Sequence, residues 1–487
     1  MIAKKLINSF FILLMSSACF GLQAGSDSEI SSAGERVVTN PQDSPVVSLE
    51  DALSRTYMQN TDLDAQRAQL RQTDETVSQA VSQWRPSVTV QGQQNKSWDF
   101  PDHQRRTHKA STGVTTTINQ NIYAGGKTIA ATRSAESNVL AGRAGLFDQE
   151  QKSLLQAVQA FFDVIAKRET VEARKKNEQF LKRTLEQTQA RYEVGEVSRT
   201  DVAAAEASYA EASAQRVAAE GDFEVSNATF FQVVGSPAGK LAMPSKVLLP
   251  LPDDLENAIK TAEAKNPTIK AAFHSLEAAK HQVDVVKAGL LPSVDVSGSN
   301  SRVRQSASFQ SDARNTDLTV GVTATMPLYS QGIVSSQVRQ QYQAVAQLKV
   351  QLEGARRSVR QFVTQAWESL IAARKSVEQY IASVKAGKLA VEGVTEEATV
   401  GVKTVLDVLE QEKRYIDTQV SLIQAEQALM VASYQVLQAQ GQLTAQELVL
   451  NVKPYNPEKH YDDVKWAAIQ FWEGEDERYV KDKDEAQ

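Results

Sequence analysis

Residues 190–202 read ARYEVGEVSRTDV and residues 396–408 read EEATVGVKTVLDV, so two similar turns lie 206 positions apart (401 minus 195). In each stretch a glycine follows many helix-forming residues, and an aspartate comes six residues later. Glycine adopts the left-handed conformation that ends many helices, and a Ser or Thr shortly after it can cap the next one. We therefore predict that Gly195 and Gly401 each lie in a turn between two helices.

The same offset relates residues far outside the turns. Pro86-Ser87-Val88 recurs as Pro292-Ser293-Val294, and Tyr123 recurs as Tyr329. A register held over about 150 positions indicates an internal duplication. The predicted organisation is a first repeat at 49–234, a linker with four prolines at 235–254, a second repeat at 255–443 and a charged, aromatic tail at 444–487 that breaks the repeat.

Long intervals without proline favour very long helices. No proline occurs between Pro101 and Pro237, or between Pro327 and Pro454, whereas a proline inside a helix would cost about 3 kcal/mol. A helix of about 60 residues is about 90 Å long, too long to fold around one globular core. The predicted helices are 49–83, 128–193 and 199–233 in the first repeat, and 255–288, 333–397 and 404–443 in the second.

Each repeat also contains two segments in which apolar and polar residues alternate, as in strands with one buried face. Their lengths suit transmembrane strands of about 9 to 11 residues. The predicted strands are 87–100, 112–123, 293–309 and 317–329, with polar loops at 101–111 and 310–316. The aromatic residues that could form interfacial belts, or pack in the wall, are Trp98, Phe100, Tyr123, Phe309 and Tyr329.

Four strands cannot close a sheet within a bilayer, where every backbone N–H and C=O must be bonded inside protein. Two chains would supply eight strands and three would supply twelve. Three chains leave a wide polar lumen, whereas side chains fill a barrel of eight strands. The strands therefore predict a cyclic oligomer.

The N-terminus has the pattern of an export signal. Two lysines precede the apolar stretch 6–20, which is too short to span a bilayer, and Leu22-Gln23-Ala24 offers a cleavage site. We predict a signal peptide at 1–24 and an N-terminal extension at 25–48. Cys19 follows a sequence that partly matches a lipoprotein box but lacks its aliphatic residue, so it is either lipidated or removed with the signal.

Composition excludes several classes of function. The formal net charge is only −6, with 53 Lys and Arg scattered among 59 Asp and Glu, which does not favour binding to nucleic acid. Beyond the signal no run of about 18 apolar residues could cross a membrane as one helix. His274 and His281 lie seven apart without the partners of a metal site. No catalytic constellation or cofactor motif is present, so we do not expect an enzyme.

The chain resembles the TolC family of outer-membrane factors over nearly all of the sequence after the signal. The resemblance rests on residues 190–202, on Trp84-Arg85-Pro86-Ser87 and Leu290-Leu291-Pro292-Ser293 at the helix-to-strand transitions, and on the tail segment 455–461. It implies a homotrimer in the outer membrane, with a twelve-stranded β-barrel continuous with a long periplasmic α-helical barrel. It also implies docking to a periplasmic membrane-fusion adaptor and an inner-membrane transporter of the ABC or RND type.

The resemblance further implies a gate at the periplasmic end, where family members place rings of acidic residues. The matching positions are Asp407 and Glu410, whose spacing puts them on one helix face. The family's latch arginine falls on Lys403 and its aspartate partner on Asp201. A lysine lacks the bidentate fork of arginine, so a weaker latch is expected. Family members also have a tyrosine that contributes a hydrogen bond to the latch. That tyrosine aligns with Ala398 here, and alanine cannot make the bond.

Three hypotheses for function follow. The first is a passive exit duct in a tripartite exporter, for type I protein secretion as the tail 455–461 suggests, or for multidrug or small-molecule efflux. The second is a coiled-coil structural protein of the envelope, which would leave the alternating strands unexplained. The third is a periplasmic hydrolase, for which the sequence offers no Ser-His-Asp or paired-carboxylate arrangement.

Overall fold

The structure is a computed structural model that describes residues 48–99, 107–244, 247–307 and 310–466. The signal peptide at 1–24, the extension at 25–47, Phe100, Phe309 and the tail beyond Trp466 lie outside the described residues. The helices are α1 Leu49–Gln59, α2 Thr61–Ser82, α3 Lys127–Glu193, α4 Arg199–Val234, α5 Leu255–Lys265, α6 Pro267–Lys287, α7 Ile333–Thr399, α8 Val405–Ala439 and α9 Lys459–Lys465. The strands are β1 Ser87–Asp99, β2 Thr107–Ala124, β3 Ser293–Ala307 and β4 Gln310–Thr325.

The predicted duplication is confirmed element by element. Helices α3 and α7 contain 67 residues each, so each is about 100 Å long at about 1.5 Å per residue. Gly126 and Gly332 precede them with positive φ angles of 82° and 79°, which glycine adopts without strain. None of the helices in the described ranges is long and apolar enough to cross a membrane.

The prediction of one continuous helix at the start of each repeat is wrong, because an asparagine divides that helix into two. Asn60 separates α1 from α2, and its Oδ1 accepts hydrogen bonds from the backbone N–H groups of Asp62 and Leu63, both at 3.1 Å. Asn266 caps α6 in the same way, and Pro267 holds the residue before it in an extended conformation. The sequence Asn266-Pro267 was a readable signal for this break.

Each asparagine also connects the break between two helices to the C-terminal end of a helix that is distant in sequence. The Nδ2 group of Asn60 donates to the carbonyl of Val233 at 3.0 Å, and that of Asn266 donates to the carbonyl of Ala439 at 3.1 Å. Both asparagine side chains are buried. The two joints occupy equivalent positions in the two repeats.

Replacing Asn60 by alanine should destabilise the protein by about 2 to 3 kcal/mol, because it removes a helix cap and leaves the partly buried carbonyl of Val233 without its donor. Asn60→Asp keeps the capping oxygen and should lose less. Urea unfolding of the reconstituted full-length protein, followed by circular dichroism, measures both. An alanine variant within about 0.5 kcal/mol of wild type would contradict this account.

The four strands form one antiparallel sheet in the order β1-β2-β3-β4. Directly paired residues point to the same side of a sheet, and the register pairs even-numbered residues with each other from Val88 to Trp98 and onward across the sheet. We call this side the apolar face. Its branched aliphatic members are Val88, Val90, Val114, Ile118, Val294, Val296, Leu318, Val320 and Val322. The opposite side, the polar face, carries mainly Ser, Thr, Asn and Gln.

The strands extend further from the helices than predicted. Residues 107–111 and 310–316, predicted as loop, belong to β2 and β4, whereas β4 ends at Thr325 rather than Tyr329. Apolar alternation fades there, but the backbone pairing continues between polar residues. The hydrophobic pattern therefore marks only part of each strand.

A bulge in β2 places an aromatic residue on the apolar face. Asn121 pairs with Asp295, but Tyr123 pairs with Val294, so one extra residue shifts the register. Tyr123 thus lies at the helix-proximal end of the apolar face, and Trp98 lies near its far end. Both are exposed in the protomer, as interfacial aromatic residues require.

The tail packs against the first repeat. Helix α9 lies on α2, where His460 Nδ1 is 3.2 Å from a carboxylate oxygen of the buried Asp74. The Lys465 ammonium donates to Glu136 of α3 at 3.0 Å. Before the tail, Tyr434 of α8 packs near Phe162 of α3, with ring centroids 6.4 Å apart. These contacts join segments distant in sequence into one core.

Candidate functional site

The candidate site is the pair of interhelical turns at the end of the helices that lies away from the sheet. Gly195 has a φ of 81°, and the next residue, Glu196, donates its N–H to the carbonyl of Arg191 at 2.9 Å. Gly401 has a φ of 77°, and Val402 donates to the carbonyl of Glu397 at 2.9 Å. These bonds satisfy carbonyls at the ends of α3 and α7.

Both following helices begin with a capping box. The Asp201 carboxylate accepts hydrogen bonds from the backbone N–H and hydroxyl of Ser198, at 2.9 and 2.7 Å. The Asp407 carboxylate accepts from the N–H and hydroxyl of Thr404, both at 2.9 Å. A hydroxyl residue followed three positions later by an acid is a readable signal of this motif. The two aspartates therefore order the turns whatever other role they have.

The capping bonds also keep both aspartates ionised. Hydrogen bonds from the Thr404 backbone and side chain, and then the positive charge of Lys403, lower the pKa of Asp407. The hydroxyl and backbone N–H of Ser198 lower the pKa of Asp201. A carboxylate stabilised in this way stays negative at neutral pH.

The other predicted gate residues are exposed. Glu410 lies one turn beyond Asp407 on α8, and its carboxylate is 4.0 Å from the guanidinium of Arg414. Asp407 and Glu410 thus form an accessible acidic pair. Lys403 is exposed, and among the described side chains no ion pair joins it to Asp201 within one protomer. The Lys403–Asp201 latch stays a prediction about the assembled protein.

Helix α8 is held against α3 and α4 next to the turns. Leu409 packs with Leu181 of α3 and with Ala205 and Ala212 of α4. Lys413 pairs with Glu211 of α4 at 2.8 Å. A small apolar contact with charged edges therefore joins the two turns of one protomer.

Glu412, which sequence reasoning missed, is the buried acid of this region. Its side chain is 7% exposed, and burial raises its pKa to about 7. Its negative charge in turn is one cause of the raised pKa of Tyr415. Leu409, Glu412 and Ile416 follow helical spacing, so a carboxylate within an apolar stripe was the signal that could have found it.

Glu412 should make stability fall as pH rises. The Glu412 carboxyl binds its proton more tightly in the folded than in the unfolded state. The free energy of unfolding therefore decreases between about pH 4.5 and 7 and stays at the lower value above that range. At 1.36 kcal/mol per pKa unit the loss is up to about 3 kcal/mol. Glu412→Gln should abolish this loss, and the exposed change Glu410→Gln should not. Urea unfolding at pH 5 and pH 8 checks both, and an unaltered pH dependence in Glu412→Gln would refute the assignment.

Comparison with known proteins gives matches over most of the chain. The model of the outer membrane efflux protein family matches residues 52–236 and 258–446. The outer membrane efflux protein BepC of Brucella suis biovar 1 (strain 1330) is 36% identical over 429 residues, which are 88% of this chain and 92% of BepC.

More distant relatives match shorter parts. The outer membrane protein TolC of Vibrio cholerae serotype O1 (strain ATCC 39315 / El Tor Inaba N16961) is 27% identical, over 65% of this chain and 72% of that protein. The alkaline protease secretion protein AprF of Pseudomonas aeruginosa is 21% identical, over 67% and 66%.

Among solved structures, the Campylobacter jejuni CmeC outer membrane channel superposes with a TM-score of 0.71. The alignment covers 92% of this chain and 98% of CmeC at 14% identity. At that identity the likeness concerns the fold, and it agrees with the helices and the sheet described above.

Proposed function

The chain belongs to the outer membrane efflux protein family, and we propose that it forms the exit duct of a tripartite export system. It is an outer-membrane channel protein that extends into the periplasm, and it is not an enzyme. In the proposed system an inner-membrane transporter of the ABC or RND type supplies the energy, and a periplasmic adaptor connects it to this duct.

The observation that carries the proposal is the sheet. Its apolar face suits lipid, its polar face suits a water-filled lumen, and β1 and β4 are each paired on one side only. Open edges are excluded within a bilayer, so copies of the chain must pair β1 with β4 of a neighbour. Three copies give twelve strands, and their helices form a ring below the barrel.

The acidic pair Asp407 and Glu410 is proposed as the gate. Threefold symmetry would bring three copies of each residue towards one axis, where their charges would narrow the passage and bind cations. Support comes from the exposure of Glu410, from the half-buried but accessible position of Asp407, and from the lowered pKa of Asp407. Lys403 and Asp201 are proposed to latch neighbouring helices in the closed state, with Gly195 and Gly401 shaping the turns that carry these residues.

The tips of the helices are proposed to meet the adaptor. Val194, Val400 and Val402, which flank the two glycines, are 72%, 74% and 71% exposed. Large apolar side chains grouped at an exposed tip are typical of an interaction site. Within the protomer no described element covers them.

For cargo we propose a protein delivered by type I secretion, with small-molecule efflux as the second candidate. The tail segment 455–461 supports the first, as does a relative named for the secretion of a protease. The name of BepC supports the second.

A photocrosslinking amino acid at Val400 tests partner and cargo class together. We expect it to capture an adaptor and an ABC-type transporter, whereas the same probe at Val225, an exposed residue in the C-terminal half of α4 and away from the turn, should not. Deletion of the gene should abolish release of a secreted protein and leave drug susceptibility unchanged. An RND-type partner with raised drug susceptibility would select efflux, and a soluble monomer without partners would refute the duct.

A further inference from the structure

Residues 326–330, which follow β4, lack a partner strand within the protomer. β4 ends at Thr325, and Thr325 pairs with Ser293, the first residue of β3. The backbone beyond this pair therefore extends past the start of the neighbouring strand. The large apolar side chains of this segment are exposed, namely Met326, Leu328 and Tyr329.

The equivalent segment of the first repeat is a strand. Residues 120–124 lie beyond Asn119, the last residue of β2 that pairs with β1. They still belong to β2, because β3 pairs with the segment on its other side, up to Ala124 opposite Ser293. The first segment thus has its partner in the second repeat of the same chain. The segment 326–330 would need the first repeat of another chain.

The repeat offset of 206 residues preserves the pairing of strands. Val88 pairs with Ile118 in the first hairpin. Adding 206 to both numbers gives Val294 and Ala324, which pair in the second hairpin. The same holds for every residue of β1. The two hairpins therefore have one structure, and the contact of β2 with β3 is a template for a contact of β4 with β1 of a neighbouring chain.

The template gives a definite register. Ile118 of β2 pairs with Gly298 of β3. Adding 206 to the first number and subtracting 206 from the second gives Ala324 opposite Gly92 of the neighbouring chain. Each residue of β4 up to position 326 then has a residue of β1 opposite it, and the two numbers always add up to 416 (324 plus 92).

The apolar face of the sheet supports this register. Even-numbered residues lie opposite each other, so the apolar face continues from one chain to the next, whereas a shift by one residue would turn it to the other side. Leu318 would lie opposite Trp98, and Met326 opposite Val90, as their equivalents do in the template. Large apolar side chains directly opposite each other stabilise antiparallel strands.

The bulge of β2 belongs to the template as well. Ile122 is the extra residue there. The offset puts Leu328 at that position, between Pro327 and Tyr329, and brings Tyr329 opposite Val88 of the neighbouring chain. Proline has no N–H to donate to a ladder, and a bulge on an edge strand is one of the few places in a sheet that tolerate it.

The turn after the segment already has the shape that follows a paired strand. In the first repeat Gly125 and Gly126 have φ angles of 62° and 82°. In the second repeat Gln331 and Gly332 have φ angles of 54° and 79°. Gln331 thus holds the left-handed conformation that a residue other than glycine rarely adopts. The equivalence ends there, because a Cβ at Gly125 would lie 2.7 Å from Leu291, and Gln331 has a Cβ.

We propose that residues 326–330 extend β4 in the assembled protein and pair with residues 87–90 of a neighbouring chain, with Ala324 opposite Gly92, Tyr329 opposite Val88 and a bulge at Leu328. This inference rests on the proposed function, because it requires copies of the chain to join edge to edge. The pairing satisfies backbone groups at the helix-proximal end of the sheet, and so it closes the barrel where the helices begin.

The test is disulfide cross-linking between chains, read on denaturing gels without reductant. Cys19 is the one cysteine of the sequence, and it is removed with the signal or blocked by lipid, so natural thiols do not compete. Ala324→Cys/Gly92→Cys should form a covalent trimer. Two shifted pairs, in which Val90→Cys or Gln94→Cys replaces Gly92→Cys, should form at least about fivefold less, because diagonal positions lie about 7 to 8 Å apart.

A second comparison tests the bulge. Tyr329→Cys/Val88→Cys should form the covalent trimer, whereas Leu328→Cys/Val88→Cys should not, because Leu328 would lie opposite Val88 only in a strand without a bulge. The reverse result would overturn the proposal. Cross-linking of either shifted pair at least as strong as that of Ala324→Cys/Gly92→Cys would also overturn it.

Ile118→Cys/Gly298→Cys is the matched control within one chain, because these two residues are opposite each other in the template. Mass spectrometry should find its intrachain disulfide, which shows that the sheet is folded and that oxidation is complete. A heat-resistant trimer that has this disulfide but forms none of the expected cross-links would refute the register and leave the duct in place. A monomer with this disulfide would refute both.

Another pair decides the question if Gly92→Cys prevents assembly. Met326→Cys/Val90→Cys should form the covalent trimer, and Met326→Cys/Val88→Cys, which is shifted by two residues, should form at least about fivefold less. Equal cross-linking of these two pairs would overturn the proposal.

Discussion

Replacing Val320 by arginine is expected to destabilise the barrel by about 2 to 4 kcal/mol in each protomer, and so three times over in the trimer. Val320 lies on the apolar face, paired with Gly298, and is 73% exposed in the protomer. It is two register steps above Tyr123, or about 10 Å, close to the middle of an apolar band about 25 Å tall. A charge there has neither water nor a headgroup within reach.

Thr319→Arg provides the matched control, because the neighbouring residue belongs to the polar face of the same strand. It should leave the trimer nearly as stable as wild type. Urea unfolding in lipid vesicles and the fraction of heat-resistant trimer on gels measure both variants. If the two arginines proved equally tolerated, the assignment of the faces to lipid and lumen would fail.

Removing the acidic pair at the turn of α7 and α8 should open the duct. In Asp407→Asn/Glu410→Gln, three copies lose six negative charges near the axis. We expect single-channel conductance to rise about two- to threefold and block by multivalent cations to weaken about tenfold. Asparagine at position 407 keeps an oxygen that can accept the bonds from Thr404, so the change tests charge more than capping.

Glu193→Gln/Glu196→Gln removes the same number of charges from the other turn and should leave conductance and block unchanged. The pH dependence gives a second check. Because the bonds from Thr404 lower the pKa of Asp407, block should persist while pH falls through the range in which an ordinary aspartate gains a proton. Wild-type conductance and block in the Asp407→Asn/Glu410→Gln variant would remove these residues from the gate.

The sequence was sufficient for the features that depend on local chemistry and periodicity. The intervals without proline predicted α3 and α7 nearly to their ends, and Gly195 and Gly401 located the turns. The alternation at Val88 and Val90 identified the first strand. In each case a single residue type, or the spacing of apolar residues, is enough to predict the element.

Other features depend on contacts that no local pattern records. The partner of the Asn60 amide is the carbonyl of Val233, which lies 173 residues further on. The docking of α9 depends on His460 reaching Asp74. The outer parts of β2 and β4 are held by backbone pairing, which is independent of side-chain polarity. Glu412 becomes unusual only when neighbouring helices bury it.

In the proposed trimer, each chain would contribute two helical hairpins, α3–α4 and α7–α8, to a ring of six. The two hairpins differ at their tips, because position 204 of the first repeat is alanine where the second repeat has Glu410. The acidic pair is therefore carried by α7–α8 alone, so only every second hairpin of the ring would place it near the axis. We expect the width of such a passage to depend on the α7–α8 hairpins, with the α3–α4 hairpins as the frame between them.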